Sequence, residues 1–262
     1  MAREFEGKVV VVTGGSRGIG GAIAAAFAAE GASTVLAAAS AANLEAAAEA
    51  IAASGARRPD VCAGDLRELQ GCERLFALVE ERHGRCDILV NSAGATRAGA
   101  FLKLEDELWQ DGFALKLFAC VRLCRLFWPM LEAARGHVVN IIGGAARTPD
   151  PEFLIGGSVN AAMANFTKGL AGLGKRSGVN VNAIHPGMTE TDRVQQLFRQ
   201  RAEAQGITPE EVRARIVAKD GLARLGLPED SAALTLFLCS KAARHIQGTA
   251  IAVDGGATAG LY

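Results

Sequence analysis

The chain has 262 residues, and Lys plus Arg and Asp plus Glu both number 28, so its formal net charge is zero. That balance leaves no electrostatic footprint for nucleic acid or an anionic membrane surface, and small-molecule chemistry is the expectation. No segment reaches the roughly 18 unbroken apolar residues of a membrane span, no long apolar run precedes the first charges of "MAREFEGK", and the expected location is the cytoplasm.

Along the chain, short β-branched or apolar runs alternate with longer helical patterns. "KVVVVT" (8–13) reads as a strand and leads into an alanine-rich helix ending near Glu30. A strand near 33–38, a helix over 41–54 and the strand "DVCAG" (60–64) follow. After Leu66, a helix carries Cys72, Leu75, Phe76 and Val79 at i, i+3, i+4, i+7 spacing, and "DILVN" (87–91) returns to strand. "HVVNII" (137–142) and "VNVNAI" (179–184) are strands, each preceded by a long helix, and "TAIAVDGG" (249–256) closes the sheet. This alternation implies an α/β fold of parallel strands joined by helical crossovers, one domain over 1–262.

Val159, Met163, Phe166, Leu170 and Leu173 form one apolar stripe, which reads as core. Residues 190–222 break the rhythm as a helical insertion suited to a substrate lid, with a capping box "TPEE" at 208–211. Its arginines, at 193, 199, 201, 213 and 215, are interleaved with Glu203, Glu210 and Glu211, so a solvated face is the reading preferred over an acidic-substrate site. The six cysteines, at 62, 72, 86, 120, 124 and 239, lack paired CxxC spacing and read as reduced, buried thiols, with no metal expected.

"TGGSRGIG" (13–20) lies between the first strand and its helix, where glycines permit a tight turn and a helix N-terminus attracts phosphate. With it stand "GDL" (64–66), "NSAG" (91–94), "HPGMTET" (185–191), "GLPED" (226–230) and "VDGG" (253–256). In order and spacing these motifs resemble the short-chain dehydrogenase/reductase family from about residue 5 to 256. The resemblance implies a single-domain Rossmann fold with a doubly wound seven-stranded parallel sheet flanked by helices, an NAD(P) cofactor and a homo-oligomer, dimer or tetramer. By position it places Gly14, Ser16, Arg17, Gly18, Ile19 and Gly20 around the cofactor phosphates, and Asp65 with Leu66 at the adenine. It places Asn91, Ala93 and Gly94 near the ribose, and Pro186, Gly187, Thr189 and Thr191 near the nicotinamide.

The second strand ends "TVLAAAS". An NAD-preferring relative would carry Asp where Ala38 stands, and many NADP-preferring relatives carry Arg where Ala39 stands. With both absent, Arg17 and Ser40 are left to meet a 2′-phosphate, and NADP is expected over NAD.

The family's serine, tyrosine, lysine and asparagine fall, by the same positional reading, at Gly143, Gly156, Asn160 and Lys116. Independently of register, no serine occurs between Ser92 and Ser158, and the only tyrosine is Tyr262. The residue four before Lys168 is Ala164, so no YxxxK motif exists there. Lysine at the asparagine position and asparagine at the lysine position look like an exchange, with Lys116 as a relocated catalytic lysine and Asn160 as its neutral partner. Ser158 is a further donor candidate, although i+2 on a helix faces another way. Tyr262 from a neighbouring subunit, a structural His185, and Arg147, Asp150 and Glu152 on the loop 143–153 complete the set.

Three functions stay open on these residues. They are an atypical NAD(P)-dependent oxidoreductase acting on a carbonyl/alcohol pair, a dinucleotide-binding protein without activity, and a non-redox isomerase or lyase on the same fold.

Overall fold

The computed structural model of the chain describes residues 3–258. Seven strands form one sheet: β1 (Val9–Thr13), β2 (Ser33–Ala38), β3 (Asp60–Ala63), β4 (Ile88–Asn91), β5 (His137–Ile141), β6 (Asn180–Pro186) and β7 (Ala250–Val253). Every pairing is parallel, as the alternation implied, and the order is β3-β2-β1-β4-β5-β6-β7, the doubly wound arrangement that the family resemblance implied. Among the described residues no helix is long and apolar enough to cross a membrane.

Side chains alternate across a strand, so a sheet covered on both faces needs apolar residues at every position, and "VVVVT" supplies them. Val9 and Val11 enter one core with Val35, Leu89 and Val138, while Val10 and Val12 enter the other with Leu36, Ile88, Val90 and Val139. The first core is roofed by α3 (Leu69–His83), α5 (Ala119–Ala134) and α6 (Leu154–Ser177), through Leu75, Val79, Leu123, Phe127 and Met163. The second is roofed by α1 (Gly18–Ala29), α2 (Ala41–Ala53) and α9 (Pro228–Cys239), through Ile23, Phe27, Leu44, Ile51 and Leu238. Each fully buried ring such as Phe27 or Phe127 contributes on the order of 2–3 kcal/mol. All six cysteines are buried free thiols within these layers.

The insertion forms α7 (Asp192–Gln205) and α8 (Pro209–Lys219), which share a small core of Phe198, Ala202, Val212 and Leu225. The capping box is made as expected: Glu211 N donates to Thr208 Oγ1 at 3.2 Å, and Thr208 N donates to Glu211 Oε2 at 2.7 Å.

Two local features differ from the sequence reading. The helix expected through "WQDGFALKLFACVRL" is split into α4 (Asp106–Phe113) and α5 by a π-helical turn, Ala114–Phe118, which carries Lys116. A π turn adds one residue to a single helical turn and leaves no periodic signature. Leu173, the last residue of the apolar stripe, is 41% exposed, because at that turn α6 points Ala171 and Gly174 inward and leaves Leu173 off the buried face.

Candidate functional site

Chain order in the sheet reverses between β1 and β4, and a crevice opens there beyond the carboxyl ends of the strands. It holds a cavity of about 590 Å³. The loops after β1, β2, β3, β4, β5 and β6 all contribute to its wall, together with the π turn and the start of α7.

The loop after β1 owes its shape to glycine. Gly14 and Gly18 adopt φ of +66° and +55°, which L side chains rarely tolerate. A Cβ on Gly14 would lie 2.9 Å from the Ser92 carbonyl oxygen, and one on Gly20 would run into the Gly14 carbonyl. Thr13 Oγ1 accepts from Ser92 N and Ala93 N, each at 3.0 Å, tying the end of β1 to the β4 loop. No side chain caps the N-terminus of α1, so its free N–H groups suit a phosphate.

At the end of β2, Ala38, Ala39, Ser40 and Asn43 line the cavity, with Arg17 also in the wall and no carboxylate among them. Ser40 Oγ accepts from Asn43 N at 3.2 Å and so caps α2. Asp65 and Leu66 line the cavity after β3, where Arg67 bridges Asp65 and Asp111. A cradle built on glycine, with Arg17 in the wall and no carboxylate at the end of β2, fits a dinucleotide bearing an extra phosphate.

Of the other sequence-predicted residues, Ser16, Ile19, Ala93, Gly94, Pro186, Gly187 and Thr191 line the cavity. Asn91 and Thr189 do not. Asn91 is buried behind the wall and donates to Asn140 Oδ1 at 2.9 Å, and Thr189 is buried and donates to the Gly187 carbonyl at 3.0 Å.

Lys116 lines the cavity, its stem packed over Gly94, where a Cβ would lie 3.0 Å from Lys116 Cδ. Among the described residues its ammonium makes no hydrogen bond or ion pair. Burial, and after it the charge of Arg193, pulls its pKa down to about 8.

The expected partnership with Asn160 is not made. Asn160 is buried, and its Oδ1 accepts from Gly143 N at 3.0 Å instead. A Cβ on Gly143 would lie 2.6 Å from Asn160 Nδ2, and one on Gly156 would lie 2.1 Å from the Phe153 ring carbons Cε1 and Cζ. The spaces that side chains at 143 and 156 would need are therefore taken by an amide and a phenyl group.

Ser158 is exposed and does not line the cavity, in keeping with its position two residues on along α6. Lys168 donates to the Gly248 carbonyl at 2.9 Å, away from the site. His185 is buried with Nδ1 3.2 Å from the Gly143 carbonyl oxygen, and burial, then Arg147, lowers its pKa. Tyr262 lies outside the described residues.

A family described as enoyl-(acyl carrier protein) reductase matches residues 14–258. An uncharacterized oxidoreductase of Mycobacterium tuberculosis is 34% identical over 97% of this chain and 93% of its own length. The chain belongs to the short-chain dehydrogenase/reductase family. A second relative, the 3-oxoacyl-[acyl-carrier-protein] reductase of Escherichia coli, is 32% identical over 96% of this chain and 98% of its own. L-sorbose reductase from Gluconobacter frateurii, solved with NADPH and L-sorbose, superposes with a TM-score of 0.94 at 32% identity over the whole of both chains.

Two residues of this short-chain dehydrogenase/reductase site were not placed there by the sequence reading. Phe153 follows the loop "TPDPE" and reads as an ordinary loop residue until the fold turns its ring toward Gly156. Arg193 was read with the other arginines of 190–222 as a solvated face rather than an acidic-substrate site, yet it reaches back to the Gly94 and Thr96 carbonyls.

Proposed function

We propose that the protein is an NAD(P)-dependent oxidoreductase interconverting a carbonyl and an alcohol, with NADP preferred to NAD and Lys116 as the proton-bearing group. The observation that carries this reading is the unpaired Lys116 ammonium in the wall of the switch-point cavity, with a pKa of about 8. A dinucleotide bound there supplies the hydride chemistry. The glycine loop 14–20 and the α1 N-terminus would hold its phosphates, Arg17 and Ser40 the 2′-phosphate, and Asp65 and Leu66 the adenine. Ala93, Gly94, Pro186, Gly187 and Thr191 would flank the ribose and nicotinamide, with Asn91 and Thr189 bracing those loops from behind.

Lys116 is protonated below pH 8 and close enough to neutrality to give up its proton and recover it. Asn160 holds the Gly143 amide, and so the shape of the β5 loop, rather than touching the reacting atoms. The α7–α8 unit serves as a lid, pinned over the cavity by Arg193. Assembly as a dimer or tetramer belongs to the same reading, supported by the exposed Phe118 and Leu173 on the α5–α6 side.

The second reading, a dinucleotide-binding protein without turnover, is favoured by the Phe153 ring and Asn160 amide standing where hydroxyl-bearing side chains would be. NADPH oxidation over a carbonyl panel, with wild type and Lys116→Met, separates the two. Turnover lost in the variant with NADPH binding kept supports the first reading. Tight binding with no wild-type turnover supports the second.

A further inference from the structure

One end of the cavity carries cations that no carboxylate meets. Lys116 and Arg193 both line it. Arg193, in the first turn of α7, donates to the Thr96 carbonyl at 3.0 Å and to the Gly94 carbonyl at 3.5 Å. Those neutral acceptors fix the guanidinium in place and leave its charge uncompensated. Arg97 stands on the same loop after β4, exposed and outside the residues that line the cavity, with its charge acting on Arg193.

Six arginines, Arg58, Arg67, Arg82, Arg85, Arg213 and Arg224, meet a carboxylate and most of the others do not; Arg193 stands out by lining the cavity beside Lys116. Among the described residues Lys116, Arg97 and Arg193 meet none. Two carboxylates line the cavity. Asp65 is taken by Arg67, and Asp192 is exposed at the start of α7 and pairs with none of the three cations.

Arg193 is itself exposed at the start of α7, where its guanidinium meets the charge of Arg97. Desolvation and then Arg97 hold the Arg193 guanidinium below its ordinary value, and Arg193 adds to the desolvation that lowers Lys116. A ligand anion would relieve both effects. The glycine loop with Arg17 already serves phosphates, whereas Arg193 is anchored beyond β4, on the Lys116 side. Its remaining N–H edge suits a planar, two-oxygen acceptor.

We infer that the substrate is a carboxylate-bearing carbonyl or alcohol compound, its carboxylate held by Arg193 and Arg97 while its reacting oxygen faces Lys116. This rests on the oxidoreductase reading above.

The test is calorimetric titration of the protein saturated with NADP⁺, so that a keto compound can bind without being reduced. The probes are a series of straight-chain keto acids of increasing length and their methyl esters. At least one acid should bind ten-fold or more tightly than its ester. That ratio should collapse toward one in Arg193→Met and in Arg97→Met, with NADP⁺ affinity unchanged in both. Among the described residues Arg97 makes no hydrogen bond, so its variant removes charge without removing a strut.

Equal binding of every acid and its ester, or no binding of any acid, would overturn the inference. So would a ratio that survives both substitutions. Loss of NADP⁺ affinity matching the loss for the acids would also overturn it, assigning the arginines to the dinucleotide. An acid that binds selectively and is never reduced with NADPH would leave the anion site standing and sink the oxidoreductase reading alone.

Discussion

The Asn160 amide occupies the space beside Gly143: Gly143 N donates to Asn160 Oδ1 at 3.0 Å, and a Cβ on residue 143 would lie 2.6 Å from Asn160 Nδ2. The two residues therefore constrain each other. Gly143→Ser alone is expected to destabilise the fold by about 1–3 kcal/mol through overpacking. Gly143→Ser with Asn160→Ala should recover part of that loss, and urea unfolding of the two single variants and the double would measure the coupling. Strict additivity would contradict the geometry.

Phe153 and Gly156 are related in the same way. Tyrosine at 156 must displace the Phe153 ring, so Gly156→Tyr is expected to lower stability by at least about 2 kcal/mol. Adding Phe153→Ala should make Gly156→Tyr better tolerated, which thermal melts of both proteins would show. A Gly156→Tyr variant as stable as wild type would mean that Phe153 swings away freely.

Lys116 sets a pH dependence with a definite sign. Its folded pKa of about 8 lies below the ordinary 10.5, so between those values the unfolded chain binds more protons and stability rises with pH. Below pH 8 the buried charge costs the fold its full amount, at most about 3 kcal/mol. Lys116→Met should accordingly be more stable than wild type at pH 7, by about 1–3 kcal/mol, with the advantage fading toward pH 10.5. In wild type, carbonyl reduction should fall as pH rises through about 8, and alcohol oxidation should rise over the same range. Denaturant melts at the two pH values and a pH–rate profile check both halves.

Ala38 lines the cavity where a carboxylate would repel a 2′-phosphate. Ala38→Asp is expected to shift the NADP-to-NAD affinity ratio at least about ten-fold toward NAD, equivalent to about 1.4 kcal/mol. Fluorescence titration with both reduced cofactors measures it, and an unchanged ratio would mean that the 2′-phosphate lies elsewhere.

Gly20 faces the Gly14 carbonyl with no room for a methyl group. Gly20→Ala should open the phosphate loop, weakening NADPH binding by about ten-fold or more, while the sheet, whose cores lie elsewhere, keeps its circular dichroism. Full affinity in this variant would remove the loop from the binding site.

Features that depend on near neighbours could be read along the chain. The valines of β1 fit a strand covered on both faces, the glycines at 14 and 18 fit positive φ, and Thr208 with Glu211 closes its own capping box. Each is governed by backbone sterics or hydrogen bonds within a few residues. Even the absence of a tyrosine other than Tyr262 needs only a count.

What fills the resulting spaces required the assembled fold. Phe153 is only three residues from Gly156, yet no local pattern says that its ring lies against that glycine, and the π turn carries Lys116 against Gly94. Arg193 closes on the β4 loop from ninety-odd residues away. Periodicity reports which face of a helix is apolar, but not which distant group arrives beside a given glycine. That depends on how the sheet brings separate loops to one edge, and there Lys116 and Arg193 come to line one cavity.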